Sequence, residues 1–232
     1  MKKQLLTGNE AAARGAYEAG IHFASAYPGT PSTEILENIT AYDEVYTEWA
    51  PNEKVALEAA IGASVAGARA LCSMKHVGMN VAADPLFTFA YTGVNGGTVI
   101  ITADEPGQHS SQNEQDNRNY AKAAKIPMVE PSDSQECLDM MKEAFAISEK
   151  YDTPVIYRMT TRICHSKSIT ETGEREDIAI RPVDKNPMKY VSVPANARRM
   201  RAELEVRLAD LKEFSEETPL NRVEYHDKKI GV

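Results

Sequence analysis

Short apolar runs alternate with helical patterns along most of the chain, with polar turns between them. Thr7 is placed to cap a first helix over Gly8–Ala19, with Glu10 completing a capping box and Gly20 closing the helix. Ile21–Tyr27 predicts a strand. Pro28 and Pro31 bracket Gly29 in a tight turn, and Thr30 or Ser32 can cap a helix that runs to about Ile39. Glu44–Trp49 predicts a second strand. Pro51–Arg69 then predicts one helix, with Asn52 as N-cap and Glu53 in the first turn, where the helix dipole favours a carboxylate. Its interior is made of small residues, among them Ala56, Ala60, Gly62, Ser64 and Gly67. Each glycine costs about 1 kcal/mol against alanine in a helix interior. That cost predicts close approach to a neighbouring backbone.

Ala70–Met74 predicts the third strand, followed by a polar loop, Lys75–Asn80, into a helix through Asp84 and Pro85. Gly97–Thr102 is β-branched and reads as a buried strand, with a long polar connection, Asp104–Arg118, after it. Pro127–Val129 starts a fifth strand, Ser132 or Asp133 caps an amphipathic helix to about Lys150, and Pro154–Tyr157 is the sixth strand. After about Ser166 the pattern dissolves into a charged, turn-rich stretch, an exposed charged helix over Asn196–Phe214, and final residues to Val232 that do not close a fold. The fold class is therefore α/β, a mostly parallel sheet of about six strands with helices on both faces. It spans residues 1–166, and residues 167–232 form a linker. Ligands of such sheets gather outside the carboxyl ends of the strands. The loops Tyr27–Ser32, Lys75–Asn80, Asp104–Arg118 and Arg158–His165 all lie at that edge and mark a candidate site.

Composition narrows the classes. The chain of 232 residues is 42% hydrophobic and 26% charged, as expected for a globular protein with a sizeable core. A net charge of −8 argues against nucleic acid or an anionic membrane surface as the main partner. The N-terminus carries two lysines but no apolar run of signal-peptide type, and no stretch approaches the roughly 18 apolar residues of a membrane span. Cys72, Cys137 and Cys164 are far apart, with no CxxC pair, so a disulfide framework, a zinc site and an iron–sulfur cluster are unsupported within the chain. A reducing, cytoplasmic setting follows. Arg198, Arg199 and Arg201 share their helix with Glu203, Glu205, Asp210 and Glu213 and do not form a nucleic-acid patch. Ser110 lacks a GxSxG context, which excludes a hydrolase elbow.

Three segments carry a resemblance. Tyr27-Pro28-Gly29-Thr30-Pro31 resembles the Tyr-Pro-x-Thr-Pro loop of the 2-oxoacid:ferredoxin oxidoreductases. Lys75–Pro85 and Pro106–Arg118 are similar to the matching segments of indolepyruvate:ferredoxin oxidoreductase alpha subunits. The stretch after Asn52 resembles the start of the pyrimidine-binding domain of thiamine-diphosphate enzymes, with Glu53 nine positions before Gly62 as the family's glutamate stands to its glycine. The resemblance runs the length of the chain. It implies that Glu53 hydrogen-bonds N1′ of the aminopyrimidine and favours the imino tautomer, which takes the proton from thiazolium C2. Glu58 is the competing candidate, about 140° away around the helix. By the same resemblance Tyr27, Pro28 and Gly78 line the cofactor, and Thr30 reaches the substrate carboxylate. His76, Asn80, His109 and Arg118 are further substrate-side residues. His76 and His109 fit either a proton shuttle or an ordinary hydrogen-bonded loop histidine. Arg158 and Arg162 fit either an anion or acidic residues on a neighbouring chain.

The resemblance implies an enzyme that oxidatively decarboxylates an aryl-pyruvate to an acyl-CoA and passes electrons to ferredoxin. No Gly-Asp-Gly motif for diphosphate-bound Mg²⁺ occurs here. Mg²⁺ and [4Fe-4S] clusters are therefore expected from segments or subunits outside this chain: a diphosphate-binding domain, a cluster-bearing region and a second subunit. Two other readings stay open, a subunit of a non-oxidative thiamine-dependent decarboxylase and a non-catalytic assembly module of the same fold.

Overall fold

In the computed structural model, which describes residues 2–226 and 229, strands and helices alternate as the pattern predicts. β1 (Lys2–Thr7) leads into α1 (Gly8–Glu18), and β2 (Phe23–Ala26) into α2 (Thr33–Ile39). β3 (Tyr46–Trp49) is followed by α3 (Glu53–Val65), and β4 (Ala70–Lys75) by the short α4 (Gly78–Val81) and by α5 (Ala83–Thr92). Next come β5 (Thr98–Asp104), α6 (Arg118–Ala124), β6 (Met128–Val129), α7 (Ser134–Tyr151), β7 (Val155–Thr160) and α8 (Thr161–His165). The chain continues with β8 (Lys167–Thr172), α9 (Pro187–Tyr190) and α10 (Pro194–Glu217). Six strands form one parallel sheet in the order β3-β2-β4-β5-β7-β6. β5 lies inside it with every residue buried, as its β-branched run requires.

Each face of the sheet has its own core. Ala11, Ala12 and Ala16 of α1, Ile35, Leu36 and Ile39 of α2, and Leu138, Met141 and Phe145 of α7 pack on one face. Ala56, Leu57 and Ala60 of α3, Leu86 and Phe89 of α5, and Ala121 and Ala124 of α6 pack on the other. The expected caps at two helices form. Thr7 Oγ1 accepts from the Glu10 amide while the Glu10 carboxylate accepts from the Thr7 amide at 2.7 Å. Asn52 Oδ1 accepts from the Val55 amide at 3.0 Å. Of the two candidates before α7, Asp133 is the cap.

Several expectations are corrected. Neither Thr30 nor Ser32 caps α2 with its side chain; Ser32 Oγ donates to the Gly29 carbonyl instead. The Lys75–Asn80 loop is shorter than expected because α4 begins at Gly78. The long small-residue helix stops at Val65, so Gly67 lies beyond it at φ +98°. An added Cβ there would come within 2.0 Å of the Arg181 carbonyl oxygen, so close approach holds at Gly67. It fails at Gly62, which is exposed and has nothing within 4 Å of the position of a Cβ. Opposite stability changes follow. Gly67→Ala should destabilise the chain by at least about 1–2 kcal/mol for the left-handed backbone alone. Gly62→Ala should stabilise it by up to about 1 kcal/mol. Urea unfolding of the two variants checks both signs.

The segment after Ser166 is more ordered than its pattern predicts. β8 pairs antiparallel with β1, from Lys2 opposite Thr172 to Thr7 opposite Lys167, so a boundary after Ser166 would separate a bonded pair of strands. The following residues run back over the domain. The Glu176 amide donates to the Glu18 carbonyl, His22 Nε2 bonds the Ile178 carbonyl, and the Arg181 amide donates to the Gly67 carbonyl. The charged helix is present as α10, but it buries Met200, Leu204 and Leu211, and Arg207 donates to the Ala90 and Tyr91 carbonyls of α5. A cleft of about 840 Å³ opens between α10 and the β6 edge, well away from β4 in the strand order. The expectation for the last residues falls, apart from Lys229, outside the described residues. No helix among the described residues is long and apolar enough to cross a membrane.

Candidate functional site

The two faces diverge between β2 and β4. The connection after β2 leads to α2 on one face, and the connection after β4 leads to α5 on the other. A crevice outside the carboxyl ends of these neighbouring strands is where an open α/β sheet receives a ligand. Two of the expected loops meet there. Gly29 packs against the stem of Lys75, whose Cγ would stand 3.1 Å from a Cβ at that glycine. Tyr27, Pro28 and Thr30 are exposed on the first loop. The Thr30–Pro31 peptide is cis, and the Pro31 carbonyl accepts from Asn9 Nδ2 at 2.7 Å. The third connection at this end follows β3. The Ala50 amide donates to the Ala26 carbonyl at 2.9 Å, and two residues later Asn52 caps α3.

Glu53 is the first residue of α3 and is buried, at 7% exposure. Its carboxylate has no hydrogen-bond or ion-pair partner among the described residues. Gly78, at the start of α4, lies directly against it: an added Cβ there would be 2.7 Å from Glu53 Cγ and 2.8 Å from Oε1. A buried carboxylate without a donor is costly. The helix N-terminus behind Glu53 offsets some of that cost, and a donor from outside the chain would offset the rest. Glu58, the competing candidate, is exposed and lies 3.9 Å from Lys54, itself bound to Asp84.

A second cluster joins the end of β5 and the residue after β6 to Arg158 of β7. Arg158 is buried and pairs with Asp104 at 2.7 Å and with Glu130. It thus pairs with acids of its own chain, and neither an outside anion nor a neighbouring chain is needed to balance it. Burial raises the Asp104 pKa above the ordinary carboxylate value, outweighing the Asn117 amide and Arg158. Glu105 is buried and accepts from the Ser110 and Ser111 amides at 3.0 Å and from Ser111 Oγ at 3.0 Å. Burial alone would raise its pKa, yet these donors hold it below the ordinary value.

The other expected site residues separate into distinct settings. His76 is buried, and its Nε2 meets the Asn113 carbonyl at 2.9 Å, so Nε2 carries a hydrogen. Its Nδ1 is buried with no partner among the described residues. Asn80 is exposed and accepts from the Tyr120 hydroxyl at 2.6 Å. His109 is exposed on the β5–α6 loop and makes no hydrogen bond among the described residues. Arg118 is exposed and committed to Glu130 and Asp116. The fold thus brings Glu53 against Gly78 and the Thr30 loop against Lys75, and turns Arg118 to the chain's own acids. Lys75 had been named only as part of its loop, and Arg158 without its partners: its pairing with Asp104 and Glu130 of the same chain was missed. A single lysine or a long-range acid–arginine set leaves no local pattern.

The cysteines stay apart and buried, and burial pushes the Cys72 and Cys137 thiols up to about 12. Among the described residues, no group of three or more His, Cys, Asp or Glu side chains is placed to hold a metal ion.

Comparison with known proteins shows the family and the fold. Residues 14–220 match the family described as "Pyruvate flavodoxin/ferredoxin oxidoreductase, thiamine diP-bdg". The indolepyruvate oxidoreductase subunit IorA of Archaeoglobus fulgidus is 47% identical over 240 residues, covering 100% of this chain and 38% of that protein. The subunit of the same name from Methanothermobacter marburgensis is 48% identical over 231 residues, covering 98% of this chain and 37% of its own length. The chain therefore spans under two-fifths of these relatives. The 2-oxoglutarate synthase subunit KorA of Archaeoglobus fulgidus is 30% identical over 197 residues, covering 79% of this chain and 53% of that protein. Among solved structures, a 2-oxoglutarate:ferredoxin oxidoreductase from Magnetococcus marinus shares the fold, with a TM-score of 0.74 at 17% identity over 91% of this chain and 45% of that one. With the family's thiamine-diphosphate-binding region matched over most of its length, this chain belongs to the pyruvate flavodoxin/ferredoxin oxidoreductase family.

Proposed function

We propose that this chain is the pyrimidine-binding, N-terminal portion of a thiamine-diphosphate-dependent 2-oxoacid:ferredoxin oxidoreductase of the indolepyruvate type. The reaction is oxidative decarboxylation of an aryl-pyruvate to an acyl-CoA, with electrons passed to ferredoxin. The observation that carries this reading is the buried Glu53 carboxylate against Gly78, with no partner among the described residues. The pair fits an aromatic ring nitrogen that can donate a hydrogen bond, in a space that a side chain at position 78 would fill. When bound, thiamine diphosphate supplies the nucleophilic carbon and the electron sink for decarboxylation.

The protein residues do the rest. Glu53 holds the proton shared with ring nitrogen N1′ and so selects the tautomer. Thr30, exposed on its loop, donates its hydroxyl to the substrate carboxylate. Tyr27, Pro28 and Gly78 line the ring, and His76 and Asn80 line the substrate side. Mg²⁺ and the [4Fe-4S] clusters come from a diphosphate-binding domain and other segments or subunits outside this chain, together with a second subunit. The setting is the cytoplasm.

Calorimetry tests this reading. Thiamine diphosphate with Mg²⁺ is titrated into the chain alone and into the assembly with the remaining domains and the second subunit present. Binding is expected only in the assembly. Absence of binding in both returns Glu53 to an ordinary helix-start carboxylate.

A further inference from the structure

We infer that Lys75 is the cation that binds the carboxylate of the 2-oxo acid, an assignment resting on the function proposed above. Lys75 ends β4 at the divergence of the two faces, and its stem lies along Gly29, the residue before Thr30. The side chain is half-buried, yet its ammonium has no carboxylate within 4 Å among the described residues. Its contacts are neutral and long, Ser111 Oγ and Gln112 Oε1, each at 3.4 Å. An ammonium has three donors, so one is free and two are weakly engaged.

The other cations at this edge are balanced or remote from the crevice. Arg158 is paired with Asp104 and Glu130, Arg118 with Glu130 and Asp116, and Lys54 with Asp84. Arg162 has no acidic partner among the described residues, but it is exposed on α8, beyond β7 and two strands from β4.

Lys75 is also held in place without being neutralised. Ser111 Oγ lies 3.0 Å from Glu105 Oε1, so the hydroxyl hydrogen goes to Glu105 and the oxygen lone pairs face Lys75. Glu105 is fixed in turn by the Ser110 and Ser111 amides. A carboxylate entering the crevice would replace two long neutral contacts with a charge-assisted one. Three residues further on, Gly78 touches Glu53. One short turn therefore carries a cation at one end and, at the other, the glycine that packs against the Glu53 carboxylate.

The test uses the complete enzyme containing this chain. Lys75→Met keeps the stem on Gly29 and removes the charge, and Lys75→Arg restores a cation. Lys75→Met should raise KM for the 2-oxo acid about 10- to 100-fold. Thiamine-diphosphate affinity, KM for CoA and the thermal midpoint should stay as in the parent, and Lys75→Arg should recover much of the loss. An unchanged 2-oxo acid KM overturns the assignment. So does a rise confined to the CoA KM, which would make the anion a phosphate. A fall in midpoint that Lys75→Arg does not relieve overturns it too, since it would mark a loop tether. If the parent enzyme oxidises no 2-oxo acid, the proposed function fails and this assignment with it. If the parent is active and Lys75→Met matches it, only this assignment fails.

Discussion

Glu53→Gln in the complete enzyme is expected to lower kcat by about 10²- to 10⁴-fold, the range for removing a group that manages a proton in the transition state. Glutamine keeps the shape and a hydrogen-bonding oxygen but cannot hold the ring's proton. The Glu53 carboxylate has no hydrogen-bond or ion-pair partner among the described residues, so the fold should not need the charge. The thermal midpoint should therefore hold or rise, because a neutral amide is less costly to bury than a carboxylate. Gly78→Ala offers a second route to the same group, since a Cβ 2.7 Å from Glu53 Cγ must displace that side chain. It should weaken thiamine-diphosphate binding while Glu53 stays chemically intact. Steady-state kinetics with unfolding curves separates the two effects. Parental turnover in Glu53→Gln would leave the residue as a dipole partner and nothing more.

Arg158→Met should show the largest stability effect. The guanidinium is buried between Asp104 and Glu130, with Asp116 3.7 Å away, and its removal strands a buried carboxylate. Breaking a buried pair from one side costs about 3–5 kcal/mol, which corresponds to roughly 6–20 °C in a domain of this size. The deficit should also depend on pH. Burial already places the folded-state pKa of Asp104 above its ordinary value, and losing Arg158 removes a group that lowers it. A raised folded pKa means that the native state prefers the proton. The native state is therefore best favoured below the unfolded value, about 3.9, and loses that advantage as pH rises through the folded pKa. Arg158→Met should thus lie nearer the parent at about pH 5 than at about pH 8. Urea midpoints at the two pH values check this, and an equal deficit at both would place the cost in lost packing.

Local signals in the sequence were legible where a few neighbouring residues settle the outcome. The Thr7–Glu10 capping box, the Asn52 cap and the buried run at Thr98–Ile101 all appear in the structure. The parallel order of strands followed from the alternation of elements. Pairings between distant residues were not legible. β1 and β8 carried no strand signal: β1 is exposed or half-buried throughout and β8 has only Thr170 and Thr172 buried, and only their antiparallel register, from Lys2 opposite Thr172 to Thr7 opposite Lys167, makes them strands. α10 looked fully exposed because its apolar positions are sparse; Met200, Leu204 and Leu211 are recognised as buried only where other elements cover them. Gly62 and Gly67 show the same limit. Both read as close approaches, but only Gly67 meets a neighbour, because the helix stops before it and residue 181 passes over it.

The sequence by itself determined the α/β alternation and the edge at which the polar loops gather, while only a resemblance to thiamine-diphosphate enzymes singled out Glu53. Caps, periodicity and motif spacing are written within a few residues of one another, so they survive without coordinates. Only the tertiary structure decided which of the marked residues are available. It committed Arg158 and Arg118 to acids of their own chain, left the buried Glu53 carboxylate without a partner among the described residues, and set Lys75 beside neutral groups. The reason is physical. Whether a charge is balanced depends on which groups lie within a few ångströms of it, and here most of those partners lie far away along the chain.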